Sequence, residues 1–203
     1  MYKLQELPYL FQDFEPFIDT NTMGLHYHKH QQGYLNKLNE ILKSNNYDFR
    51  YPIEELPFHI MEFPKELQGD ILFNLGGVLN HDLYFKSISP KRYQPPMGKF
   101  RHALESEFGS VDQFFDKLKE EGLKLKGSGY TFLVLRNDGK LELKNFSNQD
   151  LPVLFGYIPL FNIDLWEHAY YQNYKNDKAS YINNFKLISD FTNVNNIYNK
   201  LVK

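Results

Sequence analysis

Two apolar stripes at helical spacing, separated by a segment that breaks the period, constrain this chain more than any other feature. Leu25, Tyr34, Leu35, Leu38, Ile41 and Leu42 recur as one face of an α-helix. Asp19-Thr20-Asn21-Thr22 offers N-cap side chains in front of them, and Ser44-Asn45-Asn46 closes the run. A second helix is expected from near Pro64, a residue suited to a first helical turn, to about Phe85. Its stripe is Leu72, Leu75, Leu79 and Leu83. Two long helices joined by a loop at 45–63 predict an antiparallel α-hairpin.

The pattern then changes. The connector SISPKRYQPPMGK, 87–99, is rich in proline and has little periodicity, so it marks the boundary between a domain at 1–88 and one at 89–203. Residues 100–108 and 111–121 read as helices, the second capped by Ser110. YTFLVLRNDGKLELKNF holds two strand-like runs around Asn137-Asp138-Gly139, a strong hairpin-turn signal. A third strand is expected through 153–163 and a final helix over 179–202. The predicted class is α+β: an N-terminal antiparallel α-hairpin, then a C-terminal α/β domain with a short three-stranded antiparallel sheet flanked by helices.

With 203 residues, 42% hydrophobic and 24% charged, the chain has globular composition. A net charge of −2 gives no reason to expect a nucleic acid or an anionic membrane as partner. No run approaches the ~20 apolar residues of a membrane-spanning helix. The start, MYKLQELPYLFQDFEPF, carries Gln5, Glu6 and Asp13 where an export signal needs an apolar run, so a cytoplasmic protein is expected. The chain has no cysteine, so any transition-metal site must be built from His, Asp, Glu or water.

Against that background FNIDLWEHAYYQNY, 161–174, is unusual. Asp164, Glu167 and His168 crowd an aromatic, apolar stretch, and burying such groups is costly unless each finds a partner. Asp164 and His168 would share a face if the segment is helical. A metal ion would satisfy both; on this stretch alone, an internal ion pair is the simpler explanation. Three more histidines fall in LHYHKHQQGYL. His26, His30 and Tyr34 follow one helical track, while His28 points elsewhere. For this motif alone, a polar stripe facing solvent is the favoured explanation. His81, in FNLGGVLNHDLYF, stands one turn after Gly77. Gly76 and Gly77 cost roughly 1 kcal/mol each inside a helix, which points either to something approaching closely or to tight helix packing. Combined, His26, His81, Asp164 and His168 would make a three-nitrogen, one-oxygen site between domains, better suited to iron or manganese than to magnesium or calcium.

These residues, with ELPY near the start, GSGY at 127–130, NQD at 148–150 and DLWEHAYYQNY at 164–174, resemble the iron/manganese superoxide dismutases over essentially the whole chain. The resemblance implies that His26, His81, Asp164 and His168 bind one manganese per subunit, with iron as the alternative and solvent as fifth ligand. It implies disproportionation of superoxide, a small anionic substrate, to dioxygen and hydrogen peroxide. Tyr34 would gate access and share in proton supply beside His30, and Gln149 would hydrogen-bond the solvent ligand. Glu167 would reach the partner's His168 across a homodimer interface and Tyr171 the partner's His30, with a tetramer as the larger alternative. Lys178 would stand where a steering arginine is usual, keeping the charge but not the bidentate fork.

The chain also departs from the pattern. It retains only Trp166, with Phe85, Tyr130 and Phe132 where tryptophan is usual, and Leu79 at a position often aromatic in the iron type. Gly77 together with Gln149 is the manganese-type placement, whereas Asn162 replaces the more usual Gly or Thr near the metal. Two rivals stay open at this level: a zinc or iron hydrolase using the same ligands, and a dimer that binds metal without catalysis.

Overall fold

The computed structural model describes residues 1–202. Asp19 caps the first helix as expected, its carboxylate accepting from the Thr22 amide at 2.8 Å. The helix begins as α1, Thr20–Leu25, and ends as α2, Gln32–Ser44. Between them His26–Gln31 winds as a π-helix, so the straight helical track expected for His26, His30 and Tyr34 is locally unwound. Such wide turns are frequent at functional sites. The return helix α3 is Lys65–Lys86. Pro64 lies just outside it, in extended conformation at the N-cap rather than in the first turn.

From Leu75 to Phe85 every residue of α3 is buried or half-buried, because this half packs against α2 on one side and the sheet on the other. This placement explains its paired glycines. A Cβ on Gly77 would lie 2.3 Å from the Tyr34 ring, and one on Gly76 only 1.9 Å from the backbone oxygen of Gln149. Both close approach and tight helix packing therefore operate, one at each glycine.

In the second half, α4 is Gly98–Phe108 and α5 is Val111–Lys124, with the Ser110 hydroxyl accepting from the Gln113 amide at 3.1 Å. The strands are β1 Gly129–Leu135, β2 Leu141–Ser147 and β3 Ile158–Asp164. They form an antiparallel sheet in the order β2-β1-β3. The third strand starts later than its apolar run implies. Pro152–Phe155 form a 3-10 turn ended by Gly156 at φ 81°, a conformation that cannot join the ladder. After β3 come α6 Tyr171–Tyr174, α7 Lys178–Phe185 and α8 Thr192–Leu201. The single helix expected over 179–202 is thus broken. Ser189 and Asp190 leave helical geometry to make bridges with Ile88 and Gln94 of the connector.

The largest core cluster joins α4, α5, α7 and α8 to the inner sheet face and reaches Met23, Tyr84 and Phe85 of the hairpin helices. A second cluster lies inside the hairpin itself, around Leu38, Leu42, Leu56, Ile71 and Leu75. Among the described residues no helix is long and apolar enough to cross a membrane.

Gly76→Ala would gain about 1 kcal/mol of helix propensity in open space. Here the added methyl meets backbone, so the expected outcome is a net loss of roughly 1–3 kcal/mol, read as a lower urea or thermal midpoint. An unchanged or raised midpoint would refute the close approach of the 149 loop.

Candidate metal centre

Four side chains from four separate elements converge between the helices and the sheet. His26 comes from the π-helical turn, His81 from α3, Asp164 from the last position of β3, and His168 from a 3-10 turn spanning Glu167–Ala169. Asp164 and His168 therefore do not share a helical face. The chain leaves the strand at Asp164, which holds the bend by accepting the Trp166 amide on Oδ1 at 2.8 Å. Its other oxygen, Oδ2, is 3.1 Å from His26 Nε2, 3.4 Å from His168 Nε2 and 3.7 Å from His81 Nε2. The four candidate ligand atoms all lie within 4.8 Å of one another.

His26, His81 and Asp164 are held in the protonation states a metal requires. Burial, reinforced by the nearby His168, lowers His26 to about 4 against the pull of Asp164. Burial likewise takes His81 well below the usual imidazole range. Desolvation pushes the Asp164 carboxyl up, but the His168 and His26 rings outweigh it and hold Asp164 well below the usual carboxylate range. At neutral pH His26 and His81 are thus neutral and Asp164 is an ionised carboxylate.

An internal ion pair explains these contacts less well than a cation. The Nε2 atoms of His81 and His168 face each other at 3.3 Å, and the Gly77 carbonyl engages Nδ1 of His81. A carbonyl only accepts, so His81 carries its proton on Nδ1 and turns a lone pair toward the cluster. Ligands bound at ~2.1 Å to one ion stand roughly 3–4 Å apart, and the three Asp164–histidine contacts and the His81–His168 contact fall in that range. The donor set fits one transition-metal ion.

The remaining expected residues surround this cluster unequally. His30 is half-buried, its ring stacked on His168 with centroids 4.0 Å apart. Burial, followed by the neighbouring His168, lowers its pKa. The Tyr34 ring lies 5.7 Å from that of His81, and its hydroxyl accepts from Gln149 Nε2 at 3.2 Å. Gln149 follows β2 and is itself oriented by Asn80, whose Nδ2 donates to its Oε1 at 3.3 Å. Burial raises the Tyr34 phenol pKa, partly offset by the Gln149 hydrogen bond. Glu167 and Tyr171 are exposed on this chain, and His28 is exposed as expected. Lys178 begins α7, where burial lowers its ammonium pKa and the Glu167 charge opposes that.

Sequence reading assigned no role to Asn80 or to the Trp166 ring, which stacks on His168 at 5.7 Å. Asn80 adjoins His81 in sequence, so the NH pair was the available signal. Asn162 is fully buried and donates to the Asn80 carbonyl at 2.9 Å, which ties β3 to α3 behind the centre.

Comparison with known proteins matches residues 1–89 to the iron/manganese superoxide dismutase alpha-hairpin domain and residues 96–197 to the corresponding C-terminal domain. The chain belongs to the iron/manganese superoxide dismutase family. It is 39% identical over 184 residues to a superoxide dismutase [Mn] of Listeria innocua, covering 91% of each chain. It is 36% identical over 181 residues to one from Thermus aquaticus, covering 89% of each. A third such relative, from Pseudomonas putida, is 34% identical over 202 residues, which is 100% of this chain and 99% of that protein. Family membership and the convergent three-histidine, one-aspartate cluster agree.

His81→Ala removes a fully buried ligand atom from a helix that otherwise keeps its contacts, so the protein should fold but lose most of its metal. Elemental analysis of purified variant and parent decides this, and full metal content in the variant would break the ligand set.

Proposed function

We infer that the protein is a superoxide dismutase, converting two superoxide ions and two protons to dioxygen and hydrogen peroxide. The observation carrying this reading is the convergence of three imidazole nitrogens and Asp164 Oδ2 on one point, beside a Tyr34–Gln149 hydrogen bond. A manganese ion, or iron in its place, supplies the one-electron redox chemistry when bound by His26, His81, Asp164 and His168.

This chain's own residues do the rest. Tyr34 holds a proton at its hydroxyl, and the raised pKa keeps that phenol neutral at physiological pH. Gln149 orients the hydroxyl, and Asn80 orients Gln149 in turn. His30 lines the approach outside His168. Lys178 supplies positive charge for drawing in a small anion. A hydrolase would need a general base beside the centre. Tyr34, a neutral phenol oriented by Gln149, suits proton delivery instead.

Manganese is the favoured metal. The relatives above carry that metal in their names, and position 77 has no room for a side chain against the Tyr34 ring. The active-site amide therefore comes from Gln149. A homodimer is proposed on the exposed placement of Glu167 and Tyr171 beside the His30–His168 stack. In that assembly Glu167 would meet the partner's His168 and Tyr171 the partner's His30. Sedimentation equilibrium should return twice the chain mass. A monomer would overturn this part, and a tetramer would extend it. The cytoplasm is the proposed compartment and defence against superoxide the proposed role; cell fractionation tests the first.

The decisive experiment reloads one metal-free preparation separately with manganese and with iron, and measures superoxide consumption per bound metal. Manganese-dependent activity is expected, with Gln149→Ala turning over at least several-fold more slowly while keeping its metal. Full occupancy without activity for either metal would refute the enzyme reading in favour of a metal-binding protein.

A further inference from the structure

Sheet register puts a second phenol at the centre. Tyr130 is the residue directly opposite Asp164 across the β1–β3 ladder. Cross-strand partners project from the same face, so the register that aims Asp164 at the histidines aims Tyr130 there too. Its ring meets the His81 ring edge-on, with centroids 6.0 Å apart. Its hydroxyl lies 3.5 Å from His81 Nδ1. Tyr130 is completely buried. Desolvation, followed by the Asp164 charge, holds its phenol well above the usual range, so the group stays neutral.

The proton on His81 Nδ1 is already directed at the Gly77 carbonyl. The Tyr130 oxygen is a second acceptor for the same N–H, at the long end of hydrogen-bonding range, and so acts as an electrostatic bias rather than a strong bond. Groups that accept from the outer nitrogen of a ligating histidine raise the basicity of the inner one.

We propose that Tyr130 is a positioning residue for His81, its hydroxyl oxygen sharing the Nδ1 proton with Gly77 and thereby setting how strongly Nε2 donates to the metal. The proposal rests on the dismutase reading. A stronger nitrogen donor favours the higher oxidation state, so deleting the hydroxyl raises the reduction potential of the bound metal.

Tyr84 provides an internal control. It is also a fully buried phenol, with its ring 4.8 Å from that of His26. Among the described residues, neither its hydroxyl nor His26 Nδ1 has a hydrogen-bond partner. Tyr130→Phe and Tyr84→Phe therefore delete the same atom beside two different ligands, and the contact to a ligand nitrogen is present at Tyr130 alone.

The test measures metal content, thermal midpoint, visible spectrum and mediated midpoint potential on manganese-loaded parent, Tyr130→Phe and Tyr84→Phe. Tyr130→Phe should keep its metal and its thermal midpoint while its potential shifts upward and its visible band moves. Tyr84→Phe should leave potential and band in place. The proposal is overturned by an unchanged or lowered potential in Tyr130→Phe, by an equal shift in Tyr84→Phe, or by loss of metal from Tyr130→Phe. A parent that takes up neither manganese nor iron would instead sink the dismutase reading, and this inference with it.

Discussion

One carboxylate oxygen, Asp164 Oδ2, is the point on which this structure turns. It is fully buried and faces Nε2 atoms from the π-helical turn, from α3 and from the turn after β3. A carboxylate in that position without partners would be strongly unfavourable, by several kcal/mol even after relaxation. Hairpin and sheet must therefore meet in one geometry, because a shift of either would strand the charge. The surrounding contacts serve the same end. Gly76 admits the backbone of the 149 loop, Gly77 admits the Tyr34 ring, and Asn162 joins β3 to the Asn80 carbonyl.

The π-helical turn is a second consequence of the centre. A regular α-helix from Thr20 to Ser44 would be the easier structure for this stretch to adopt. The wide turn at His26–Gln31 instead accommodates a buried His26 and a half-buried His30 stacked on His168. It is followed by regular helix, from which Tyr34 reaches Gln149. Distortion is concentrated where the chemistry is, while the capped and apolar parts of the same helix follow ordinary rules.

The aromatic shell differs from the tryptophan-rich pattern the sequence resembles, with consequences of two kinds. Phe85 and Phe132 remain buried apolar packing, Phe85 against the His26 ring and Phe132 against Tyr130. Tyr130 adds something chemically different, a hydroxyl beside a ligand histidine. Aromatic-for-aromatic exchange thus preserves the dry wall of the site while changing its electrostatics at one point.

Much of this protein was legible in its residues. Helical spacing of Leu35, Leu38 and Leu42, the Asp19 and Ser110 caps and the Asn137-Asp138-Gly139 turn are local signals, and each element they mark is present. The histidines, Asp164 and the DLWEH motif could be named as a site because donor chemistry is written in residue type. Less visible were the late start of β3, the break at Ser189-Asp190, the π-turn and the hydroxyl of Tyr130 at His81. Each depends on which distant segment a residue meets, and period and propensity carry no information about that. By itself the sequence determined the long helices of the hairpin, the hairpin of strands, the donor set and the family. Only the tertiary structure decided the register that sets Tyr130 opposite Asp164, and the packing of α3 that turns its glycines into points of contact, because both are pairings between segments far apart along the chain.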